Sequence, residues 1–134
     1  MAEIESVTAF GSIRVQLGPD EYARLDSVIA LGLRLLVSDA PGADEQIQEH
    51  LAARRYENVV VYHNGRGPGG GPRRNLGGWP TEQVRSPFEA KDERMCADAD
   101  AGLAFWDGRS RGTGRNIGQL RADRKRVRTV VLAR

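Results

Sequence analysis

The stretch DADAGLAFWDGRSRGTGRNIG, residues 98–118, decides the fold because an apolar run passes directly into a turn and then into a helical pattern. The run 102–106 is typical of a strand covered on both faces, and Asp107 and Gly108 mark its end. Ile117 and Leu120 then begin an apolar stripe of helical spacing. A buried strand that leads at once into a helix is the repeating unit of an α/β fold.

The segment that joins this strand to the helix is rich in small residues. Ser110, Gly112, Thr113 and Gly114 supply hydroxyls and flexible backbone, and Arg111 adds a positive charge. A loop of this kind at a helix start presents free N–H groups and the positive end of the helix dipole, which together suit a phosphate. The segment is neither a Walker motif nor a GxGxxG fingerprint, so a tight turn capped by Ser110 or Thr113 is the alternative.

Length and composition describe one globular domain over residues 1–134. No apolar segment approaches the length of a membrane span, and the first residues lack the pattern of a signal peptide, so we expect a cytoplasmic protein. The single cysteine, Cys96, excludes an internal disulfide and a thiolate metal cluster. His50 and His63 lack partners at metal-ligand spacing, so we expect no metal site.

The rest of the chain repeats the alternation of strand and helix. Strands are predicted at 7–10, 33–37, 59–62 and 129–132, in addition to the one at 102–106. Helices are predicted from Pro19, from about residue 43, from Phe88 and after the small-residue loop. Because such alternation gives right-handed crossovers, we predict a three-layer α/β sandwich with a parallel sheet of about five strands in the order 3-2-1-4-5.

A sheet of this order binds ligands where its winding direction reverses, beyond the carboxyl ends of its first and fourth strands. Three loops rich in Gly, Ser, Asp and Arg reach that point, namely 11–14, 38–44 and 106–114. Their convergence predicts a ligand-binding crevice.

Residues 64–87 form a low-complexity loop rich in Gly, Pro and Arg. Its composition predicts no regular element, and a loop of this length is either a functional lid or disordered. Trp79 favours an ordered end, because a tryptophan is a large apolar group to leave in solvent.

Four motifs of this chain form a recognisable combination: Gly11-Ser12-x-Arg14, Asp39-Ala40-Pro41-Gly42-Ala43-Asp44, Lys91-Asp92-x-x-Met95 and Phe105-Trp106-Asp107-Gly108-x-Ser110-x-Gly112-Thr113-x-x-x-Ile117. The combination resembles the SLOG superfamily, named after the DNA-processing protein Smf/DprA and the Lonely Guy phosphoribohydrolases, and within it the YspA-like branch. The resemblance covers about residues 7–132. It implies a Rossmann-like domain that binds nucleotides or nucleotide-derived ligands, and a homo-oligomer.

The resemblance implies that a phosphorylated ribose, as in ADP-ribose, NAD or a nucleoside monophosphate, binds on the Ser-x-Gly-Thr loop. The predicted ligand-binding residues lie in the three converging loops: Gly11, Ser12, Arg14, Asp39, Gly42, Asp44, Trp106, Ser110, Arg111, Gly112, Thr113 and Gly114. Structural alternatives are open for several further candidates: Asp44 as a helix cap, Trp106 as core, Asp107 as an anchor of its loop, and Lys91 with Asp92 as a solvated pair on a helix. No cofactor beyond such a nucleotide is predicted.

Lonely Guy enzymes cleave the N-glycosidic bond of nucleoside 5′-monophosphates, so an N-glycosidic hydrolase is the first alternative function. In their GGxGTxxE motif the Gly-Thr holds phosphate and the Glu serves the ribose and catalysis. Gly112 and Thr113 match the Gly-Thr, but Asn116 stands at the Glu position, and an amide cannot act as a general base. The candidate catalytic residues are Lys91, at the place of a family arginine, and the carboxylates Asp92, Asp107 and Asp44.

The second alternative is a module that binds single-stranded nucleic acid. The formal net charge is +2, and arginines cluster in the loop as Arg66, Arg73 and Arg74. A solvated helix end is the simpler explanation for the charges of the tail, Arg124, Lys125, Arg126 and Arg128. By resemblance, carriage of an oxyanion cofactor such as a molybdenum species is a further alternative.

Overall fold

A computed structural model of the protein describes residues 3–85 and 88–134, and the side chains of all of these except 88–90. The strands are β1 (Ser6–Gly11), β2 (Arg34–Ser38), β3 (Val59–His63), β4 (Thr81–Gln83), β5 (Ala101–Trp106) and β6 (Arg126–Val131). The helices are α1 (Pro19–Ala30), α2 (Ala43–Ala53), α3 (Phe88–Asp98) and α4 (Arg111–Ala122), and a short 3-10 turn spans Pro68–Gly70. Within the described ranges, no helix combines the length and the apolar character needed to cross a membrane.

The strands form one parallel sheet with the order β4-β3-β2-β1-β5-β6. The Rossmann-like α/β fold is therefore confirmed, and the five predicted strands keep the order 3-2-1-4-5. The prediction of a loop without any regular element is wrong, because Thr81–Gln83 pairs with Val61–His63 as a sixth strand at the sheet edge. These three residues carry no apolar pattern, so only their pairing with β3 identifies them as a strand.

Helices cover both faces of the sheet. On one face, Leu25 of α1 and Ile47 of α2 are fully buried in one cluster with Val7 of β1. On the other face, Ile117 of α4 is buried beside Phe10 of β1, and α3 packs against α4. Because successive side chains of a strand point to opposite faces, β1 is buried by both helical layers.

Helix α4 begins directly after Ser110, which corrects the predicted loop. The residues expected to form a flexible turn, from Gly112 to Gly114, belong to the first helical turn. Glycine is a weak helix former, so this start is not visible in the residue pattern. The backbone of Gly112 and Gly114 is therefore helical and does not form a loop.

Half of the basic tail lies on an edge strand and not on the solvated helix end that its charges suggest: Arg124 and Lys125 follow the end of α4, whereas Arg126 and Arg128 lie on β6. Strand β6 starts at Arg126, ahead of the predicted range 129–132, and Arg126 and Arg128 occupy exposed positions on it. Charged residues on an edge strand discourage pairing with another sheet. Lys125 donates hydrogen bonds of 2.9 and 2.8 Å to the carbonyls of Cys96 and Ala97, and so caps the end of α3.

The Gly, Pro and Arg-rich loop docks on α2, and its last two residues, 86 and 87, lie outside the described part of the chain. The fully buried Gln48 amide donates to the Arg74 carbonyl at 3.3 Å and accepts the Leu76 N–H at 3.0 Å. Trp79 is 7% exposed, and its indole N–H donates to the Tyr56 carbonyl at 2.7 Å. The structure thus buries Trp79, while the ordered end that this residue favours stays a prediction.

Two glycines allow the end of β1 to approach α2. A Cβ on Gly11 would lie 2.5 Å from the Phe105 carbonyl oxygen and 2.7 Å from the Cβ of Ala43. Gly42 has a φ of 82°, and a Cβ there would lie 2.3 Å from the carbonyl oxygen of Ile13. Only glycine fits these positions without a backbone shift, so Gly11 and Gly42, two of the four predicted ligand-binding glycines, have a packing role.

We expect Gly42→Ala to lower the free energy of unfolding by roughly 2–4 kcal/mol, because the new Cβ meets backbone in a conformation that L-residues avoid. Gly118→Ala is the matched control: Gly118 is exposed on α4, and nothing lies within 4 Å of an added Cβ. That variant should gain about 0.5–1 kcal/mol. Urea unfolding measures both, and equal stability of the two variants would contradict the close approach at Gly42.

Candidate functional site

A cleft of about 610 Å³ opens at the carboxyl ends of β1, β2 and β5. The segment after β1, the start of α2 and the start of α4 border it. The predicted site residues that line the cleft are Gly11, Ser12, Arg14, Asp44, Lys91, Asp92, Asp107, Ser110, Gly112 and Thr113. The predicted convergence of the three loops is therefore confirmed.

The other predicted residues lie beside the cleft rather than on its lining: Asp39, Gly42, Trp106, Arg111 and Gly114. Trp106 braces the start of α4, because its indole N–H donates to the Ser110 carbonyl at 3.0 Å and its ring would lie 3.2 Å from a Cβ on Gly114. Arg111 is exposed, and Asp39 is buried behind Lys91. The contacts of Trp106 thus fit a packing role, which the sequence left as the alternative, better than stacking on a base.

The turn before α4 is organised by the carboxylate of Asp107. One carboxylate oxygen accepts hydrogen bonds from the N–H groups of Arg109 and Ser110, at 2.9 and 2.7 Å. The other accepts from Nε of Arg134 at 2.8 Å. These hydrogen bonds, led by the one from the Ser110 backbone, hold the pKa of Asp107 well below its usual range. A carboxylate occupied in this way is an anchor and a poor proton acceptor, which favours the structural alternative over a catalytic role.

The first turn of α4 presents backbone N–H groups to the cleft. Arg111, Gly112 and Thr113 open the helix, so their N–H groups have no carbonyl partner within it. This turn contains no acidic residue, in contrast to the first turns of α1 and α2. Nothing lies within 4 Å of a Cβ placed on Gly112, so a ligand has room against the backbone. The arrangement suits an anion.

Ser12 connects this turn to β1. Its hydroxyl oxygen accepts the N–H of Asp107 at 3.1 Å, and its hydroxyl donates to that of Thr113 at 3.4 Å. Its backbone N–H donates to the Phe105 carbonyl at 2.9 Å, and its carbonyl accepts the Ala43 N–H at 3.3 Å. The two hydroxyls therefore have fixed positions in the cleft wall.

Lys91 is a buried cation at the floor of the cleft. Its ammonium donates to the Ser38 hydroxyl at 2.8 Å and lies 3.4 Å from Asp39 and 3.9 Å from Asp92. Asp39 also accepts the backbone N–H of Arg73 at 2.8 Å. Burial opposes ionisation of Asp39, yet the Arg73 hydrogen bond and the charges of Lys91 and Arg73 lower the pKa of this carboxyl. The floor is thus an ionic network that includes the docked loop.

Asp44 faces the same floor as a carboxylic acid. It is 6% exposed and accepts the N–H of Gly11 at 3.2 Å. Burial, and next the negative charge of Asp92, raise the pKa of Asp44 to about 8, although Lys91 acts in the opposite direction. At neutral pH Asp44 is therefore mostly protonated and can donate a hydrogen bond or a proton. In the described part of the chain, no three His, Cys, Asp or Glu side chains are grouped so as to hold a metal ion.

Two arginines outside the predicted site residues line the cleft: Arg73 comes from the docked loop and Arg134 follows β6. Arg134 could have been found, because residues after a parallel strand lie at the ligand edge of the sheet. Arg73 does not follow a strand in this way, and its contact with Asp39 is what brings it to the cleft. The other lining residues outside the predicted set are Phe10, Ile13, Ser38, Ala40, Pro41, Met95 and Asn116.

Asp44 makes stability depend on pH between its unfolded pKa of 3.8 and about 8. In this interval the folded protein holds a proton that the unfolded chain has lost, so the free energy of unfolding falls as the pH rises. From pH 5 to 7 the contribution is at most about 2.7 kcal/mol, since one pKa unit corresponds to ~1.4 kcal/mol. Asp44→Asn keeps an acceptor for Gly11 but cannot ionise, so it should flatten the profile. Urea unfolding at pH 5, 6 and 7 gives the free energy of unfolding of both proteins at each pH. If this free energy changes equally with pH in the unmodified protein and in Asp44→Asn, Asp44 is ionised in the folded protein.

Comparison of the chain with models of known protein families and with curated proteins finds no match. Membership of the SLOG superfamily therefore stays a prediction that rests on the four motifs. In the structure these motifs border a single cleft, through residues such as Arg14, Asp44, Lys91 and Thr113.

Proposed function

We propose that the protein binds a nucleotide or nucleotide-derived ligand, such as ADP-ribose, NAD or a nucleoside monophosphate, with a phosphate at the start of α4. The observation that carries this proposal is the first turn of α4, where the N–H groups of Gly112 and Thr113 border the cleft and no acidic residue is present. Arg14 and Arg134 line the same cleft. A phosphate accepts several N–H groups at once and is attracted by the helix dipole and the cations.

The floor of the cleft suits the hydroxyls of a ribose. Asp92 offers a carboxylate that accepts hydrogen bonds, whereas the protonated Asp44 and the ammonium of Lys91 donate them. Sugar hydroxyls both donate and accept, so they match a mixed set of this kind. The carboxylate of Asp92 would repel a phosphate placed on the floor, which supports the orientation with phosphate at α4 and sugar at α3.

Apolar side chains complete the lining. Phe10, Pro41 and Met95 border the cleft, and Ile13 is 62% exposed at its edge. Small-molecule sites usually combine such apolar surface with a few placed polar groups. The cleft thus has a surface for each part of a nucleotide: phosphate, sugar and base.

The loop arginines support a small-molecule cleft better than a surface for single-stranded nucleic acid. Arg73 contacts Asp39, and Arg74 donates to the Asp39 carbonyl at 2.7 Å and lies 3.6 Å from Glu45. Trp79, the aromatic residue of this loop, is buried and therefore offers no stacking face. Two of the three clustered arginines thus hold the loop in place.

A second candidate function is hydrolysis of an N-glycosidic bond, and a specific contact favours it. The Asn116 amide donates to the Asp92 carboxylate at 3.4 Å, so Asp92 offers a carboxylate beside the position where the resemblance expects glutamate. Asp44 supplies a protonated carboxyl at the same floor. A protonated carboxyl beside a carboxylate suits the pairing of a general acid with a charge-stabilising base in glycoside cleavage.

A cytoplasmic location and a homo-oligomer stay predictions from the sequence. Neither is needed for the binding proposal, because the lining residues of the cleft come from one chain. Sedimentation of the purified protein addresses the oligomer directly.

We expect Gly112→Asp to weaken nucleotide binding at least tenfold, or ~1.4 kcal/mol, because it places a carboxylate where the phosphate binds. An acidic residue in a first helical turn favours the helix, so this variant should fold. Gly118→Asp is the matched control, on the same helix but exposed and outside the cleft lining. Calorimetry with AMP, GMP, ADP-ribose and NAD measures binding. If the unmodified protein binds none of them, the proposal is wrong.

For the hydrolase candidate, we expect unmodified protein to release free base from a nucleoside monophosphate, and Asp44→Asn and Asp92→Asn each to slow release by about 100-fold or more. Asp20→Asn, at an exposed position of α1, should leave the rate unchanged. Chromatography after long incubation at high protein concentration measures the base. Absence of any release removes this candidate and leaves the binding proposal standing.

A further inference from the structure

Arg134 reaches the cleft from β6. After this strand the chain passes the end of β5, where the Leu132 N–H donates to the Trp106 carbonyl at 2.8 Å. The Nε of Arg134 then donates to the Asp107 carboxylate at 2.8 Å. Because Asp107 is itself held by the N–H groups of the turn before α4, the guanidinium is fixed beside the first turn of that helix.

This ion pair leaves most of the guanidinium unused. Toward the residues that the structure describes, Arg134 donates only through Nε, so both terminal NH2 groups are available. The side chain is 40% exposed and lines the cleft together with Ser12, Gly112 and Thr113. A planar guanidinium donates as a fork, which matches two oxygens of a phosphate.

Arg134 lies beside the positive end of α4, and its ion pair with Asp107 compensates part of this unfavourable interaction. The start of a helix is positive, so a cation there is repelled by the helix dipole. Arg111 adds a further positive charge in the same turn, which has no acidic residue, and Asp107 is the carboxylate that faces Arg134. An anion bound between Arg134 and α4 removes this repulsion.

Resting on the proposed function, we infer that Arg134 is a ligand-binding residue whose two terminal NH2 groups clamp the phosphate against the first turn of α4. Asp107 is its positioning residue, since it holds Nε and leaves the terminal NH2 groups of this cleft-lining residue for a ligand. The cleft therefore prefers ligands with a phosphate group that offers at least two unesterified oxygens to Arg134. A neutral nucleoside gains nothing from this residue.

The test is a titration with inorganic phosphate at constant ionic strength, followed through the amide NMR signals of Gly112 and Thr113. In the unmodified protein we expect saturable shifts of both signals. Arg134→Gln should raise the Kd for phosphate at least fivefold, and Arg134→Lys, which keeps the charge but not the fork, should recover only part of the loss. Arg128→Gln, at an exposed position of β6, is the matched control and should leave the Kd unchanged.

The outcomes separate the two proposals. If phosphate shifts neither amide signal in the unmodified protein, the proposed phosphate site and the role of Arg134 both fall. If phosphate binds but Arg134→Gln has the same Kd, only the role of Arg134 is wrong. If Arg134→Lys has the same Kd for phosphate as the unmodified protein, the positive charge is sufficient and the guanidinium fork is not needed. Arg134→Gln could also disturb the turn, which would be seen as moved signals of Gly112 and Thr113 before phosphate is added. In that case only Arg134→Lys is used: a Kd higher than that of the unmodified protein supports the role of the guanidinium fork, and an equal Kd overturns it.

Discussion

The cleft depends on the hydrogen bonds of Ser12, a buried residue directly after β1. Its backbone bonds to Phe105 of β5 and to Ala43 at the start of α2, while its hydroxyl bonds to Asp107 and Thr113 around the start of α4. One residue therefore sets the spacing of the three segments that form the cleft. Because a buried polar group must keep its partners, none of these segments can move without breaking a hydrogen bond of Ser12.

The same cleft holds two aspartates in opposite protonation states. Asp107 accepts hydrogen bonds from backbone and arginine and stays charged, whereas Asp44 is buried near the charge of Asp92 and is mostly protonated at neutral pH. The charged group fixes the turn that presents the N–H groups of α4. The neutral one is a proton donor, and its burial is unfavourable for stability above its unfolded pKa. Such pairs of separated pKa values are typical of functional sites.

Apolar runs and the alternation of strand and helix were sufficient to predict the layers, the order of five strands and the meeting of three loops. The missed features lack a local signal. Strand β4 is polar and exists through pairing with β3, and the first turn of α4 is hidden by its glycines. Arg73 reaches the cleft only through the docked loop, and Arg134 follows a strand whose basic residues resemble a helix end. These positions are decided by tertiary contacts, which a residue pattern does not contain.

Chemistry at the floor of the cleft depends on where groups lie in space rather than on which element carries them. Asn116 occupies the α4 position at which the resemblance expects a glutamate, yet its amide contacts the carboxylate of Asp92 from α3. When two neighbouring helices pack this closely, a carboxylate can be supplied by either helix and still give the cleft the same negative charge. Lys91 lies on the same turn of α3 and is held by Ser38 at the end of β2 and by Asp39 directly after it. Helix α3 therefore carries a negative and a positive group of the floor, and its packing against α4 brings Asp92 to Asn116.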